Sequence, residues 1–533
     1  MTNYPLYEHP LMNNIRELLE HCANTKGDNY CFQYTRKKTN VTVTYRRFLQ
    51  EVRALGSWLF EQGYEHNHIA LLGENSYYWL LSYFAITCGA NVAVPIDKEL
   101  DADSILTLLL DSESKIMIYS DTYADIVAVL QENDTCKTTF ISMSLIEKAL
   151  EEGMELLANG YNRYLEVEIK RDTLATIVYT SGTTGRSKGV MLTHFNFMSN
   201  VHASIQLIKL DGTSLLVLPL HHTFGLMAGV FVAMSYGSTI FINKSLRNLL
   251  SDFEKCQPQN MFAVPMIIEN IYKNIWSTAK KQGKDKLLRT MINISNTFRR
   301  CKIDLRKIFF KSVINSFGGN IEVIVSGGAP INDIYIKEFD DLGITILNGY
   351  GITECGPVVS VNRNRFNLVG SVGIPLQCNE VKIADDGEVL VKGTNVMQGY
   401  YHQEEENAKV FTDGWFMTGD IGNLGKYGEL YITGRKKNLI ILSNGENVSA
   451  EVIEKEVATI SYVKEVIAYG ENGKIVAEVY LDEEYPEGRE QIYTDIQEVN
   501  QRLPQHKNIG NIIIRDAEFP KTTTKKIKRN YKE

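Results

Sequence analysis

A run of hydroxyl and glycine residues at positions 179–191 carries more potential chemistry than any other segment of this chain. It reads YTSGTTGRSKGVM and follows an apolar stretch, 174–179, that is typical of a short buried strand. Glycines let backbone N–H groups approach phosphate oxygens closely, hydroxyls add donors, and lysine adds positive charge. A flexible surface loop is the alternative, but the ordered alternation directly after a strand favours a phosphate site. The candidate phosphate-binding residues are Thr180, Ser181, Gly182, Thr183, Thr184, Gly185 and Lys188.

The run differs from the Walker phosphate loop. That motif places Gly-Lys-Ser/Thr at the start of a helix. Here Lys188 is followed by Gly189 and a new apolar stretch, 190–192, so the Gly-Lys-Ser/Thr order of that motif is missing.

Further clusters follow in a fixed order, and together with the run at 179–191 they resemble the motifs of the adenylate-forming superfamily. That superfamily includes acyl-CoA synthetases, luciferases and the adenylation domains of peptide synthetases. The resemblance covers roughly residues 30–530. The clusters are SGGAP (326–330), NGYGITECGP (348–357), WFMTGD (415–420), GRKKNLI (434–440) and PKTTTKKI (520–527).

The resemblance implies an ATP site, a magnesium site and a bridging lysine. Glu354, with Thr184, would bind Mg²⁺, which needs one or two carboxylates besides phosphate oxygens and water. Asp420 would accept the two ribose hydroxyls, Arg435 would bind the ribose or phosphates, and Lys526 would bridge the attacking carboxylate and the α-phosphate. The other implied nucleotide contacts are Gly328, Ala329, Pro330, Asn348, Gly349, Tyr350, Gly351 and Thr353.

The chain departs from the family pattern at three positions. Ser187 stands where the family has proline before the phosphate-loop lysine, and Asn438 stands at a hinge position that is often aspartate. Lys525 replaces a glycine next to Lys526, so Lys525 could stand in for it. Read alone, the basic tail could equally be a solvated charge run.

A second conformation is implied for thioester formation. The small domain would swing about Asn438, withdraw Lys526 and present the segment SNGENV (443–448) to the incoming thiol. The resemblance assigns CoA binding to Lys437, Ser443, Gly445 and Glu446.

The stretch LPLHHTFG (218–225) resembles the strand that lines the acid pocket of acyl-CoA synthetases. Residues 221–234 contain no acidic side chain, and peptide-synthetase domains use an aspartate nearby for the substrate's ammonium, so an amino-acid substrate is disfavoured. His222 either gates the pocket and orients the carboxylate or is a packed histidine, and the sequence leaves both open. The other pocket candidates are Phe224, Gly225, Met227 and Val230.

Composition indicates a globular protein of several domains. The chain has 533 residues, 44% of them hydrophobic, and a net charge of −8, which argues against nucleic-acid binding. Eight scattered cysteines without a Cys-x-x-Cys pair indicate reduced thiols and a cytoplasmic location. The uncharged stretch 77–96 is long enough to span a bilayer, but GAN at 89–91 and a proline interrupt it. We therefore expect no membrane span, and peripheral membrane contact is left open.

The periodicity predicts an α/β fold. Strands at 68–73, 92–96 and 115–120 alternate with helices, which implies parallel strands with helical crossovers. A basic stretch at 280–306 is predicted as a helical insertion, and short strands after about residue 370 predict a small β-rich subdomain. We expect a large domain of two α/β subdomains over 1–437 and a small, mobile α+β domain over 438–533.

The sequence therefore predicts an AMP-forming acyl-CoA synthetase, most like the long-chain fatty acyl-CoA ligases. It would use ATP, Mg²⁺ and CoA to activate a medium- or long-chain fatty acid, as a monomer or a homodimer. A separate carrier protein could replace CoA as the acceptor, and a non-catalytic nucleotide-binding relative is a third interpretation.

Overall fold

The computed structural model describes residues 5–181, 187–442, 447–521, 527 and 529. Two compact units divide the chain. The first comprises Met1–Glu380 and Val391–Phe416, and the second comprises Val381–Leu390 and Met417–Glu533. The chain thus enters the second unit, returns to the first and then leaves it again.

One sheet of the first unit is parallel at its centre and antiparallel at both edges. Its edge strands belong to a hairpin at one side and to the segment after the NGYG motif at the other. The strands lie in the spatial order Ile374–Pro375, Val358–Val361, Thr345–Gly351, Val323–Ser326, Asn260–Ala263, Thr213–Leu216, Thr239–Ile242, Tyr30–Arg36 and Thr39–Thr44.

A second sheet of the first unit carries the predicted phosphate loop. Its first three strands pair antiparallel and the rest are parallel, as the alternation of strands and helices predicts. The spatial order is Gly399–Tyr400, Ser187–Thr193, Leu174–Ser181, Val92–Ile96, His68–Leu72, Ile116–Tyr119 and Thr139–Ser142.

Helices cover these sheets, and short local signals start many of them. Thr44 caps Tyr45–Glu61 by accepting from the Arg47 N–H, and Ser76 caps Tyr77–Thr87 in the same way. The remaining helices are Ile15–Lys26, Ala102–Asp111, Ala124–Gln131, Ile146–Ala158, Arg163–Glu166, His194–Leu207, Ala233–Ser235, Leu249–Cys256, Pro265–Lys281, Asp285–Arg300, Arg306–Phe309, Lys311–Asn315, Asp333–Leu342 and Glu404–Val410, with a π-helix at Phe224–Val232.

An aromatic cluster joins several of these helices in the core of the first unit. The ring of Phe84 meets Phe48 and Phe231 edge-on at 5.1 and 5.6 Å, and Phe231 meets Phe197 at 5.7 Å. Edge-to-face aromatic pairs stabilise a core beyond the area they bury. The π-helix that carries the acid-pocket candidates is therefore anchored by Phe231.

The predicted elements agree with the structure in type, with one clear difference in length. The stretch 77–96 forms a helix and a buried strand, as expected, and within the described residues no helix combines the length and apolar character that crossing a bilayer requires. The apolar stretch 214–220, which the sequence pattern predicts as one buried strand, is a strand only as far as Leu216. Beyond it, Pro219 lacks an N–H for a ladder, and the Leu220 N–H donates instead to Asn75 Oδ1 at 3.1 Å.

The second unit is built from short strands and two helices. Asp386 and Gly387 lie between two strands, where this residue pair predicts a hairpin turn, and the structure confirms the hairpin with Gly387 at φ +85°. Its further strands are Leu430–Arg435, Leu439–Ile441, Asn447–Ser449, Val463–Glu471, Lys474–Leu481 and Ile509–Arg515, and its helices are Ala450–Val457 and Gly488–Arg502. Three more strands contain residues assigned to each of the two units: Asn379–Ile383, Glu388–Gly393 and Trp415–Leu424.

The sheets and helices of the first unit confirm the predicted α/β class, and the second unit is the smaller α+β part that was expected. The boundary predicted between residues 437 and 438 lies inside the second unit as the structure divides the chain. A hinge at Asn438 stays a prediction.

Candidate active site

The candidate phosphate loop is the turn of an antiparallel hairpin. Strand Leu174–Ser181 pairs with Ser187–Thr193, and Thr180 lies opposite Lys188. The apolar stretch that follows the loop thus belongs to a second strand, Ser187–Thr193. Residues Gly182, Thr183, Thr184 and Gly185 and the side chain of Ser181 lie outside the described residues, so their phosphate contacts remain predictions.

Lys188 is nearly buried and ion-paired. Its side chain is 13% exposed, and its Nζ lies 2.5 Å from Glu406 Oε2. The ammonium also lies 4.9 Å from the ring centroid of Tyr400, within range of a cation–π interaction. Glu406 accepts a second hydrogen bond from Lys409 at 2.7 Å. These two ammonium groups, Lys188 first, lower the pKa of Glu406 to about 2.

Glu354 lies in a short 3₁₀ turn, Thr353–Cys355, directly after strand Thr345–Gly351. Its Oε1 accepts from the Tyr400 hydroxyl at 2.9 Å, and its carbonyl accepts from the Met397 N–H at 2.8 Å. Desolvation, followed by the charge of Glu354, raises the pKa of Tyr400, so this phenol stays protonated and donates.

The motif around Glu354 needs its glycines because two chain segments touch there. A Cβ at Gly351 would lie 2.1 Å from the carbonyl oxygen of Pro357, and one at Gly349 would lie 3.1 Å from that of Ser360. Asn348 is held by the Asn362 amide, which donates to its carbonyl at 3.1 Å. Close main-chain packing thus fixes the strand that leads to Glu354.

The chemistry of the donors fits magnesium. Among the described residues, no three or more His, Cys, Asp or Glu side chains converge as a protein metal cage. Mg²⁺ bound together with a nucleotide takes most of its ligands from phosphates and water and one or two from carboxylates. The half-buried carboxylate of Glu354 at a strand end suits that role, and Thr184 lies outside the described residues.

The acid-pocket candidates lie on the π-helix Phe224–Val232. A Cβ at Gly225 would lie 2.2 Å from the Pro219 carbonyl oxygen, so glycine lets the segment before the helix approach it closely. Met227 and Val230 have no exposed surface. π-Helical turns are rare and occur often at functional sites.

The ring of Phe224 brings the pocket segment to the SGGAP turn. An ideal Cβ at Gly327 would lie 3.0 Å from that ring, so the ring rests on the turn's backbone. The next residue, Gly328, has φ +82°, a conformation that favours glycine. Ala329 and Pro330 continue the turn.

Two adjacent histidines differ in environment. His221 is buried, its Nε2 lies 3.4 Å from Asp97 Oδ1, and its ring centroid lies 4.1 Å from that of His222. Burial first, and then the charge of His222, lower the pKa of His221 to about 3. His221 is thus the packed neutral histidine, and His222, which is partly exposed, keeps its candidate role.

In the second unit the two predicted ribose-binding residues form a pair. Asp420 and Arg435 face each other across neighbouring strands, and Arg435 Nε lies 2.9 Å from Asp420 Oδ1. The Asp420 side chain is 4% exposed, whereas the Arg435 side chain is 49% exposed. A buried acceptor beside a half-exposed cation suits recognition of a sugar diol and a phosphate.

The segment that carries Lys437 and Asn438 is tied to Glu451. The Asn438 amide donates to Glu451 Oε1 at 2.6 Å, and the Ser449 hydroxyl donates to Oε2 at 2.9 Å. Desolvation, and then the cations Arg435 and Arg529, lower the pKa of Lys437. The other CoA candidates, Ser443, Gly445 and Glu446, lie outside the described residues.

Lys526 and Lys525 also lie outside the described residues, but the residues that bracket them are anchored. Lys521 and Ile527 form an antiparallel bridge. Ile527 packs on a cluster that includes Phe519, and Lys521 forms ion pairs with Glu465 and Glu518. The tail is therefore attached to the second unit on both sides of the candidate lysines.

Sequence reasoning missed the residues that link the motifs. Tyr400 and Glu406 contact Glu354 and Lys188, and two asparagines, Asn196 and Asn200, bind main-chain carbonyls of the segments that follow. These residues have no motif spacing of their own. Their signal is three-dimensional proximity.

Comparison with known proteins agrees with this arrangement. The AMP-binding enzyme family matches residues 19–401, and the AMP-binding enzyme C-terminal domain matches residues 437–533. The chain is 30% identical to a fatty acyl-CoA synthetase B of Dictyostelium discoideum, over 84% of this chain and 73% of that protein. It is 28% identical to a long-chain-fatty-acid–CoA ligase of Mycobacterium bovis, over 84% and 79%.

Solved structures share the fold. An o-succinylbenzoate CoA synthetase from Bacillus subtilis, in complex with ATP and magnesium ion, superposes with a TM-score of 0.75 at 23% identity, covering 96% of this chain and 98% of that one. A Mycobacterium tuberculosis fatty acyl CoA synthetase gives 0.69 at 24%, covering 97% of each. Because one family matches most of the sequence and a second match continues to its end, the chain belongs to the AMP-binding enzyme family.

Proposed function

We propose that this enzyme is an AMP-forming acid–thiol ligase for medium- or long-chain fatty acids, with ATP, Mg²⁺ and CoA as its cofactors. The observation that carries the proposal is the meeting of Lys188 and Glu354 at Tyr400. It puts a cation suited to phosphate beside a carboxylate suited to a metal. Relatives that are named fatty acyl-CoA synthetases or ligases support the substrate class.

The first half-reaction must overcome charge repulsion. A carboxylate and a triphosphate repel each other, so the enzyme has to neutralise both and align the attacking oxygen opposite the leaving pyrophosphate. Lys188 would bind the outer phosphates, and Lys526 would bridge the carboxylate and the α-phosphate. Bound Mg²⁺ would supply further neutralisation, held by Glu354 and Thr184.

The remaining nucleotide contacts would come from the other family motifs. Asp420 would accept the ribose hydroxyls while Arg435 turns from it towards the nucleotide. Tyr350 and the turn Gly328–Ala329–Pro330 would flank the adenine, and Thr353 would donate to the α-phosphate.

In the second half-reaction the thiol would displace AMP from the acyl-adenylate. We expect the C-terminal domain to turn at Asn438, which removes Lys526 and brings Lys437, Ser443, Gly445 and Glu446 to CoA. Exclusion of water during the first step protects the mixed anhydride from hydrolysis.

The acid pocket is proposed to be apolar and without a counter-charge for an amino group. The segment 221–234 supplies Phe224, Gly225, Met227 and Val230 and no acidic side chain. Each methylene buried there would contribute about 0.8 kcal/mol, so the depth of the pocket could select chain length. His222 would stand at its entrance or orient the carboxylate.

The decisive experiment is acid-dependent pyrophosphate release with acids of two to eighteen carbons, with and without CoA. We expect release with the longer acids and thioester formation when CoA is present. Acyl-AMP without a CoA thioester would indicate a carrier protein as the acceptor. A complete lack of acyl-AMP across the series would contradict the enzyme proposal and favour a non-catalytic nucleotide-binding protein.

We also propose that the enzyme makes peripheral contact with an anionic membrane surface. The segment 280–311 contains eleven lysines and arginines against two aspartates, in a chain of net charge −8. Its helix Asp285–Arg300 exposes Leu287, Ile294 and Phe298, each by 40% or more. Apolar side chains among cations suit the surface of an anionic bilayer.

Vesicle sedimentation tests this contact. We expect binding to vesicles that contain phosphatidylglycerol, weaker binding to pure phosphatidylcholine, and loss of binding when Leu287, Ile294 and Phe298 are all changed to Ser. Equal sedimentation of the variant and the wild type would refute it. The cytoplasmic location and the choice between monomer and homodimer stay predictions, the latter to be checked by light scattering.

A further inference from the structure

One short segment is hydrogen-bonded to both halves of the candidate phosphate and metal site. The Met397 N–H donates to the Glu354 carbonyl, and the Tyr401 N–H donates to the Gly189 carbonyl, each at 2.8 Å. Strand Gly399–Tyr400 pairs with the strand that begins at Ser187. The segment 397–401 therefore joins the main chain at Glu354 to the strand that carries Lys188.

The side chain of Tyr400 makes the same connection. It is 5% exposed, its hydroxyl donates to Glu354 Oε1 at 2.9 Å, and its ring lies 4.9 Å from Lys188 Nζ. Glu406 Oε2 lies 2.5 Å from that ammonium. One buried ring thus contacts both charged groups of the proposed site.

The backbone of Tyr400 is held firmly enough to orient these groups. Asn407 accepts from the Tyr400 N–H at 2.7 Å and donates to its carbonyl at 3.0 Å. Gly399 has φ +146°, and a Cβ there would lie 3.0 Å from Asn407 Oδ1. A side chain at position 399 would push this amide away, so glycine is required for the two hydrogen bonds between Asn407 and the Tyr400 backbone.

We propose that Tyr400 is a positioning residue whose hydroxyl fixes the carboxylate of Glu354 for metal binding and whose ring seats the ammonium of Lys188 for phosphate binding. The proposal rests on the proposed function, because it depends on the roles given there to Glu354 and Lys188. It adds a residue that touches neither nucleotide nor metal.

The Tyr400 hydroxyl limits the freedom of the Glu354 carboxylate. The terminal torsion of a glutamate is broad, so an unrestrained carboxylate samples many orientations. A buried hydroxyl that binds one oxygen restricts the rotation of the group and leaves the second oxygen available to a cation. Among the described residues, Tyr400 is the one side chain that donates to this carboxylate.

Calorimetric titration of the full-length protein with ATP, in Mg²⁺ and separately in EDTA, tests the proposal. Tyr400→Phe removes the hydroxyl and keeps the ring. We expect it to lose about tenfold or more of the affinity gain that Mg²⁺ gives, as for a lost hydrogen bond to a charged group, with the EDTA affinity nearly unchanged. Tyr401→Phe is the matched control, because its hydroxyl donates to Glu113 Oε2 at 2.8 Å on the surface.

Tyr400→Leu separates the role of the ring. Without the ring, the Lys188 ammonium loses its cation–π contact. We therefore expect the affinity for ATP in EDTA to fall by roughly threefold or more as well. Thermal unfolding of each variant reports any loss of stability.

The possible outcomes are distinct. If Tyr400→Phe keeps the gain from Mg²⁺, or loses affinity equally with Mg²⁺ and EDTA, Tyr400 merely stabilises the fold and the inference is wrong. If the wild-type protein itself gains no ATP affinity from Mg²⁺, the proposed function fails and the inference falls with it.

Discussion

Glu354 is the residue on which the charge balance of the proposed first step most depends. Changing it to Gln removes a negative charge but keeps an acceptor for Tyr400, which donates to Oε1. We expect adenylation to fall about 10²-fold or more, since loss of one preorganised electrostatic group costs about 2.7–4 kcal/mol of transition-state stabilisation. Acyl-AMP formation at saturating Mg²⁺ is the measurement.

Glu113→Gln is the control for that change. Glu113 also accepts from a tyrosine, Tyr401, at 2.8 Å, but on the surface. A rate near that of the wild type is expected for it. The same rate for Glu354→Gln would contradict the metal assignment.

Lys526 and Lys525 are separated by their effects on the two half-reactions. Lys526→Ala is expected to slow acyl-AMP formation by about 10²-fold or more. It should spare thioester formation from supplied acyl-AMP, because the residue has then rotated away. Lys525→Gly should be tolerated, since it restores the family's glycine.

Pyrophosphate release and thioester formation are assayed separately for this pair. Loss of the first step in Lys525→Ala but not in Lys526→Ala would mean that the tail is aligned wrongly by one residue. No effect from either change would favour a protein that does not catalyse.

At the level of residues, sequence identifies what a motif contains and misses what lies between motifs. Lys188 and Glu354 lie in ordered motifs, so their types and order point to them. Tyr400 lies in GYYHQEEENA, where tyrosines and glutamates have no diagnostic spacing. Its role depends on pairing of strand Gly399–Tyr400 with a strand some 200 residues earlier, which sequence periodicity does not encode.

Among the structural elements, the turn Lys436–Asn438 is held by hydrogen bonds to one side chain, that of Glu451. Glu451, from helix Ala450–Val457, accepts from Asn438 and lies 3.4 Å from the Arg435 N–H. Glu451→Ala removes these bonds. We expect trypsin to cleave after Lys436 or Lys437 roughly tenfold faster, because local opening costs less without charge-assisted hydrogen bonds.

Glu456→Ala, on the same helix, is the comparison for this proteolysis experiment. It removes a carboxylate without touching the turn and should leave the cleavage rate unchanged. Equal rates for the two variants would show that Glu451 does not hold the segment.

Elements with local signals were predicted well, and those formed by distant pairing were not. Thr44 caps its helix and Gly387 turns its hairpin, as short-range rules indicate. Strand Ile509–Arg515 was not predicted, since it is defined by parallel pairing with Lys474–Leu481. The π-helix Phe224–Val232 is uniformly apolar, so its hydrogen-bond register leaves no trace in hydrophobic periodicity.

For the whole molecule, a buried histidine makes stability depend on pH. His194 is fully buried, its Nδ1 accepts from the Ile15 N–H at 3.2 Å, and burial lowers its pKa to about 3. In the unfolded chain the ordinary value is about 6.5. Between these values the unfolded state binds the proton, so stability falls as the pH drops below about 6.5, by about 2 kcal/mol at pH 5.

Denaturant unfolding at several pH values measures this effect. His194→Asn, which retains an acceptor, should reduce the slope of unfolding free energy against pH by about one proton between pH 5 and 6. His66→Asn is the control, because His66 is exposed and its φ of +52° suits asparagine. Identical slopes in the wild type and His194→Asn would contradict the assignment.

The discontinuity of the first unit has a consequence for biosynthesis. Residues Met1–Glu380 leave the ribosome before Val391–Phe416, the segment that brings Tyr400 and Glu406 to Lys188 and Glu354. Until that segment emerges, strand Ser187–Thr193 lacks its partner Gly399–Tyr400, and the nascent chain exposes an unpaired sheet edge. A fragment that ends anywhere between residues 380 and 398 would also lack this strand partner. The first unit therefore cannot complete its folding during synthesis until Val391–Phe416 has been made, and that segment follows Val381–Leu390 of the second unit.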